Sequence, residues 1–301
     1  MSWTFELLRK PDGRPLTEGP VWDGEHLYFT HIHGRAILRY DPKTQAITTW
    51  RDGIDRPNGL AFDERGRLFA CCQGARCMLR IDPDGNNTVI ADRFDGKRLN
   101  TPNDLAIDRK GRIWFTNPLN DGNVDRTEQE ELYHRSVYRL DPQENGTYAI
   151  TRVVFDTTQP NGILVSQDQS TLYVAESSFT RGIPRELRAY PINNNDGSLG
   201  TFKTLFTWGE DHRGVHRGID GMCLDAEGNI IATAGWEVAG AGAMLYVFSP
   251  SGRVLETHPV PCNRPTNCCF GGADMTTLFL TSVEGHFFKA HTDRVGWAMY
   301  P

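Results

Sequence analysis

The chain lacks the features that would place it in a membrane, outside the cell or on a nucleic acid. No window approaches about 18 uninterrupted apolar residues, so no membrane span is predicted. The first ten residues, MSWTFELLRK, lack an apolar core followed by a small-residue cleavage site. Acidic residues outnumber basic ones by 38 to 32 and no basic stripe is present, which argues against nucleic-acid binding. These absences predict a cytoplasmic protein.

Metal-binding and redox cysteine motifs are also missing. The seven cysteines are an odd number and contain no Cys-x-x-Cys spacing, so neither a zinc site nor a dithiol motif is indicated. Without an export signal, the cysteines are predicted to be reduced thiols that act as small apolar residues of inner strands. No segment has the pattern of a helix of significant length.

What the chain does contain is a short polar cluster that occurs six times, each time immediately before a strand-like run. One side chain able to bind metal occupies the same position in every cluster. These aligned residues are Glu18, Asn58, Asn103, Asn161, Asp220 and Asn267. Successive positions are 40 to 59 residues apart, and internal repeats of this kind indicate a repeat architecture. The repeat runs from end to end and predicts a single domain over residues 1–301.

The pattern within each repeat predicts short antiparallel strands. Three strands are recognised after each polar cluster, and segments such as 46–50 and 88–91 predict a fourth. Six such units predict an all-β fold, a six-bladed β-propeller with four antiparallel strands per blade. The N-terminal strand near residues 3–7 is expected to pair beside the last blade and close the ring. Surplus residues in segments 117–135, 176–185 and 193–217 are expected to shape a binding face or to be tolerated insertions.

In a closed ring the aligned side chains converge on the central axis. Two carboxylates, Glu18 and Asp220, together with the amides of Asn103 and Asn161, form an oxygen-donor set typical of a hard cation. We therefore predict one divalent metal ion at these four residues. Calcium is the first choice, and zinc, magnesium or manganese are also compatible with these ligands.

Simpler interpretations apply to other polar and aromatic residues. Asn58 and Asn267 are expected to form Asx turns rather than bind metal. Tyr133 and Trp236 are expected to pack within blades rather than line a pocket. The histidines of the long segments are expected to be solvated.

Several segments carry a family resemblance. They are Glu18–Trp22, Asn103–Asp104, Pro160–Gly162, Asp220–Gly228 and Asn267–Gly272. In this order, and over nearly the whole chain, they resemble the gluconolactonase / senescence-marker-protein / luciferin-regenerating family. The resemblance implies a six-bladed propeller and a divalent metal held by Glu18, Asn161 and Asp220, with Asn103 close to the metal or the substrate. It also implies hydrolysis of sugar lactones such as gluconolactone.

The resemblance has one departure on the substrate side. Animal members of the family carry a substrate-contacting arginine two residues before the matching asparagine, and this chain has Thr101 there. Arg98 lies three residues further back. The stretch Leu99–Asp104 is more similar to the bacterial gluconolactonase branch. Thr101, Arg98 and Asn103 are the predicted substrate-binding residues.

The predicted reaction is metal-dependent opening of a lactone. The metal polarises the lactone carbonyl, a water attacks the carbonyl carbon, and Asp220 or Asp104 accepts the proton. The expected partner is a small sugar lactone, and the protein is expected to be a monomer or a weak homo-oligomer. Two alternatives stay open. One is a hydrolase of organophosphates or other lactones and esters on the same scaffold, and the other is a non-catalytic propeller that binds a protein.

Overall fold

The computed structural model describes residues 2–11, 13, 15–120, 122 and 129–300. The strands of the first three blades and their connections are β1 (Phe5–Arg9), β2 (Thr17–Trp22), β3 (Leu27–His31), β4 (Ala36–Asp41), β5 (Ala46–Arg51), β6 (Pro57–Phe62), β7 (Leu68–Cys72), β8 (Cys77–Ile81), β9 (Asn87–Ala91), β10 (Arg93–Phe94), β11 (Lys97–Arg98), β12 (Leu105–Ile107), β13 (Ile113–Asn117), β14 (Arg135–Pro142) and β15 (Tyr148–Thr157). The remaining strands are β16 (Pro160–Val165), β17 (Thr171–Ser177), β18 (Arg185–Pro191), β19 (Lys203–Trp208), β20 (Met222–Asp225), β21 (Ile230–Ala234), β22 (Met244–Phe248), β23 (Val254–Pro259), β24 (Pro265–Gly271), β25 (Thr277–Ser282), β26 (Phe287–His291) and β27 (Gly296–Trp297).

Six antiparallel sheets form the blades of a propeller, as the repeat predicted. Blades 1 to 4 are β2–β5, β6–β9, β12–β15 and β16–β19. Blade 5 is β20–β23, with β27 added as a fifth strand beside β20. Blade 6 is β24–β26 and takes its outer strand from β1. The prediction of four strands per blade therefore holds for five blades, and blade 5 has one more.

The N-terminal strand completes blade 6 and so closes the ring. Strand β1 pairs antiparallel with β26, with Phe5 opposite Ala290 and Leu7 opposite Phe288. The N-terminal strand thus covers the edge that β26 would otherwise leave open. This is the closure that the sequence predicted.

The hydrophobic cores lie between neighbouring blades. Six clusters of buried residues occur, one at each contact between blades. Between blades 3 and 4, for example, Trp114 and Val137 pack with Ile163 and Leu172. All seven cysteines are free thiols, as predicted, and five of them are buried. The apolar side chains of the cores are thus concentrated between the blades.

The aligned polar residues lie at the start of the innermost strands. Asn103 and Asp220 precede β12 and β20 by two residues, whereas the other four lie inside β2, β6, β16 and β24. The prediction that every cluster comes before its strand was therefore wrong for four blades. In those four the pairing with the second strand shifts at the cluster, for example between Glu18 and Val21, which is a β-bulge.

Helices make no contribution to the described part of the chain. No α-helix occurs there. Accordingly, a search of the same residues finds no helix of the length and apolarity needed to cross a membrane.

Candidate active site

A cavity of about 410 Å³ lies on the ring axis and gathers residues from several blades. Its lining includes Glu18, Asn58, Asn103, Asn161 and Asp220, one from each of blades 1 to 5. The four residues predicted to bind metal are therefore brought together in one space. We call this space the axial cavity.

Glycines allow these residues to approach one another. A Cβ atom on Gly162, which follows Asn161, would lie 2.6 Å from the carbonyl oxygen of Asp220. A Cβ atom on Gly59 would lie 2.8 Å from the carbonyl oxygen of Asn103. After four of the aligned residues the inner strand thus passes so close to the next blade that only glycine fits, whereas Asp104 and Cys268 follow the other two.

The carboxyl groups of Glu18 and Asp220 are buried close enough to influence each other. Burial raises the pKa of Glu18 well above its ordinary value, and the negative charges of Asp220 and Asp104 raise it further. Glu18 Oε2 accepts a hydrogen bond of 2.8 Å from the backbone N–H of Gly19. Burial also raises the pKa of Asp220, against the opposing effects of the Arg217 charge and of a hydrogen bond from Asn161.

An arginine that the sequence pattern did not indicate is paired with Asp220. Arg217 is only 4% exposed, lines the axial cavity, and donates from Nη2 to Asp220 Oδ2. Its Nη1 donates to the carbonyl oxygen of Pro265 over 2.8 Å. A second arginine that the pattern did not indicate, Arg264, also lines the cavity. The available signal for Arg217 was its position three residues before an aligned carboxylate, at the end of a long segment.

The side chains of the axial cavity fit a divalent cation. In the part of the chain that the structure covers, no three His, Cys, Asp or Glu side chains are grouped to hold a metal. A cation would therefore depend on two carboxylates supplemented by amide oxygens, which is a donor set that calcium accepts. Asn58 Oδ1 is buried and accepts no hydrogen bond from any described residue. A positive ion would satisfy this oxygen and relieve the repulsion between Glu18 and Asp220.

Asp104 and Asn267 line a second cavity of about 160 Å³ on the axis. Asp104 Oδ1 accepts a 2.9 Å hydrogen bond from the N–H of Leu105, and Asn267 Oδ1 accepts one of 2.8 Å from the N–H of Cys268. Each side chain is thus bonded to the next residue of its own chain segment. Burial raises the pKa of Asp104 to about 7. The carboxyl group of Asp104 therefore changes charge near neutral pH.

Two predicted substrate-binding residues do not line the axial cavity. Thr101 is fully buried, and its Oγ1 donates to the carbonyl of Pro118 over 2.8 Å and accepts from the N–H of Asn120 over 2.9 Å. Arg98 donates from Nη2 to the carbonyl of Ala75 over 3.0 Å. These contacts do not support direct contact of Thr101 or Arg98 with a ligand. Thr101 instead holds the segment that carries Asn120, which does line the cavity.

Residues of the segments that connect strands complete the lining of the axial cavity. Gln159 Nε2 donates to Asn120 Oδ1 over 2.8 Å, and both side chains line the cavity. Trp236 and Phe179 also line it, with their ring centroids 5.5 Å apart. The expectation of packing within a blade was therefore wrong for Trp236, which lines the cavity, and for Tyr133, which is 79% exposed and is not part of this lining.

The chain is similar in sequence and in structure to gluconolactonases and to regucalcin. A gluconolactonase of Zymomonas mobilis is 28% identical over 286 residues, which cover 88% of this chain and 76% of the relative. Regucalcin of Xenopus laevis is 26% identical over 275 residues, covering 89% of this chain and 83% of the relative. The solved structure of a gluconolactonase from Xanthomonas campestris superposes with a TM-score of 0.78 at 30% identity, covering 96% of this chain and 89% of that one.

The family assignment comes from a match that spans most of the chain. The model of the SMP-30/Gluconolactonase/LRE-like region matches residues 16–284, a range that contains all six aligned polar residues. The motifs predicted the same family. The chain therefore belongs to the SMP-30/gluconolactonase/LRE-like family.

Proposed function

We propose that the protein is a lactonase that hydrolyses sugar lactones with the help of one divalent cation. Glu18, Asn161 and Asp220 would hold the cation, calcium by preference, with Asn103 beside it. The observation that carries the proposal is the meeting of these four side chains in one cavity. The 30% identical gluconolactonase structure supports the choice of substrate class.

The charges of the cavity suit this cation. Glu18 and Asp220 supply two negative charges, and the two asparagines supply neutral oxygens. When bound, a divalent cation polarises a carbonyl group and lowers the pKa of a water molecule. Both effects favour the opening of an ester ring.

Asp220 is the proposed proton acceptor of the reaction. The oxygen of a water molecule bonds to the carbonyl carbon, the ring C–O bond breaks, and the freed ring oxygen takes up a proton, which gives one hydroxy acid. Asp220 accepts the proton of the attacking water because its carboxylate lines the same cavity as the substrate. Hydrogen bonds from Arg217 and Asn161 orient this carboxylate. Asp104, the other predicted acceptor, lines the second cavity, so we assign the proton transfer to Asp220.

The rest of the lining suits a polyhydroxylated molecule. The amides of Asn120 and Gln159 can donate to and accept from hydroxyl groups. The indole ring of Trp236 offers a flat apolar surface to the C–H face of a sugar ring. Most of the lining residues are polar or charged, as a ligand with many hydroxyl groups requires.

The substitution Asp220→Asn tests this proposal because it keeps the shape of the side chain and removes its charge. We expect turnover of gluconolactone, measured through the release of protons, to fall by at least about 100-fold, as for loss of a general base. We also expect calcium affinity, measured by calorimetry, to fall by at least about tenfold because a charged ligand is lost. Asp84→Asn, in an exposed turn, is the matched control and should change neither quantity.

Two results would refute the proposal. One is an Asp220→Asn protein that keeps both turnover and calcium affinity. The other is a wild-type protein that opens no sugar lactone at any calcium concentration. Turnover of a phosphotriester in that second case would favour an organophosphate hydrolase instead.

A further inference from the structure

Arg264 presents an unused pair of donors to the axial cavity. It lies between β23 and β24, on the blade 6 side of the cavity, and lines it. Its Nε is 3.5 Å from Glu284 Oε1 but makes no hydrogen bond there. Within the described residues, no hydrogen bond from its Nη1 or Nη2 is found, and the side chain is 43% exposed. The outer edge of this guanidinium is therefore available to a ligand.

The second arginine of the cavity, Arg217, already uses both of its Nη atoms in hydrogen bonds within the protein. Arg217 donates to Asp220, to the carbonyl of Pro265 over 2.8 Å and to the carbonyl of Gly235 over 3.3 Å. Because Pro265 follows Arg264 directly, the contact from Arg217 also fixes the backbone that carries Arg264. Arg217 thus holds Asp220 and the backbone at Pro265 in place, and Arg264 is the arginine whose N–H donors can contact a substrate.

The charges of the lining add a second argument. Glu18 and Asp220 are the acidic side chains of the lining, and Arg217 and Arg264 are its basic ones. Glu284 adds a third acidic group because it is ion-paired with Arg264 at 3.5 Å, so three acidic and two basic groups leave one net negative charge. The cation of the proposed function would make the cavity net positive. A positive cavity attracts anions, whereas a neutral sugar lactone gains nothing from it.

We propose that Arg264 binds an anionic group of the substrate, so that the preferred substrate is a sugar lactone that also carries a carboxylate or a phosphate ester. The inference rests on the proposed lactonase function. A guanidinium presents parallel N–H donors that match two oxygens of either group. The lactone carbonyl of the substrate would lie beside the cation held by Glu18, Asn161 and Asp220, and the anionic group of the substrate would lie at Arg264.

The test compares three lactones on the calcium-loaded protein. They are neutral gluconolactone, glucarolactone with its extra carboxylate, and a phosphorylated gluconolactone. We expect kcat/KM for one of the anionic lactones to exceed that for the neutral one by at least about tenfold. The anionic lactone that is preferred identifies the group that Arg264 recognises.

Variants of Arg264 assign the preference to this residue. Arg264→Gln should raise KM for the preferred anionic lactone by about tenfold more than it raises KM for gluconolactone, so that the preference between the two lactones is lost. Arg264→Lys should keep part of the preference, since it keeps the charge and loses the paired donors. The control is Arg65→Gln, an arginine that is 71% exposed beside Glu64, in the turn at the far end of β6 from Asn58.

A binding measurement gives a readout that does not depend on turnover. Glucarate, an unreactive dicarboxylate, should bind Arg264→Gln about tenfold more weakly than wild type by calorimetry, while gluconate binding changes little. Hydrolysis of gluconolactone without preference for either anionic lactone would overturn the inference and leave the lactonase function standing. Equal weakening of neutral and anionic ligands by Arg264→Gln would do the same. Absence of any lactone hydrolysis would refute both.

Discussion

Asp104 has an unusual electrostatic position for a carboxyl group. Its side chain is buried on the ring axis, with the negative charge of Asp220 nearby. Burial is the main cause that raises its pKa from the ordinary 3.8 to about 7, and hydrogen bonds from the backbone of Leu105 and Ile163 only partly oppose it. The ionised form is therefore less stable in the folded protein than in the unfolded chain.

The raised pKa predicts how stability depends on pH in the metal-free protein. Protonated Asp104 stabilises the fold below about pH 4, and this contribution is lost as the pH rises through about 7. In that window the free energy of unfolding should fall by up to about 1.4 kcal/mol per pH unit from this group. Asp104→Asn should remove this part of the slope. Glu18, whose pKa is also raised, keeps its own contribution in both proteins.

Urea unfolding in the presence of a chelator, at several pH values between about 4 and 7, checks this prediction. The quantity that matters is the difference in stability between wild type and Asp104→Asn at each pH. The difference should move in favour of the variant as the pH rises. Parallel curves would show that Asp104 does not titrate in this range.

Residues at equivalent repeat positions could be predicted from the sequence, and residues outside the repeat could not. Glu18, Asn161 and Asp220 were predicted to meet because equivalent positions of a ring lie around the same axis. Arg217 and Arg264 lie in irregular segments, where an arginine in a cavity has the same sequence pattern as an arginine in solvent. Their roles depend on which blade each segment contacts, and that information comes only from the coordinates.

At the scale of the element, the start of each inner strand decides the shape of the site. The β-bulge in β16 turns the backbone after Asn161 toward Asp220. The two backbones are so close there that position 162 has no room for a side chain and is occupied by glycine. Similar contacts recur from blade to blade. At four of the six contacts between blades, the position of an aligned residue is therefore set by the glycine of the neighbouring blade.

Gly162→Ala is predicted to disturb the site through the backbone. The new Cβ atom would lie 2.6 Å from the carbonyl oxygen of Asp220, so one of the two strands must move. We expect a loss of about 1 to 3 kcal/mol in the free energy of unfolding. Calcium affinity should fall at the same time, because Asp220 is displaced.

Gly200→Ala is the matched control for this substitution. A Cβ atom there would make only ordinary contacts, the nearest at 3.5 Å to Pro191. Urea unfolding and calcium calorimetry on both variants separate crowding from a general effect of replacing glycine. Equal effects of the two substitutions would contradict the proposed role of the close approach.

The blades could be predicted better than the bulges within them. Alternating apolar residues and Asp-x-x-Gly turns identify strands and hairpins, so the ladder of each blade was recognised. A bulge adds polar residues and glycine at the start of a strand, and this composition is the same as that of a turn. The pairing of β27 with β20 was not predicted, because two residues are too few to show a strand pattern.

On the scale of the whole molecule, stability depends on closing the ring. The hydrophobic residues are divided among six contacts between blades, and no central core joins them. The N-terminal segment secures blade 6 through β1 and also reaches blade 5. There Trp3 stacks on His258 with ring centroids 3.8 Å apart, and its Nε1 donates to Asp293 over 2.9 Å.

Trp3→Ala is therefore predicted to weaken the whole ring while leaving the chemistry intact. Trp3 is 7% exposed, and truncation of a buried tryptophan costs about 3 kcal/mol or more. Leu7→Ala, in β1 but 39% exposed, should cost less than about 1 kcal/mol. Urea unfolding measures the stability of both variants. Their KM for gluconolactone should be the same, because neither side chain lines the axial cavity. If the tryptophan variant were as stable as the leucine variant, the N-terminal segment would contribute to ring closure through the pairing of β1 alone.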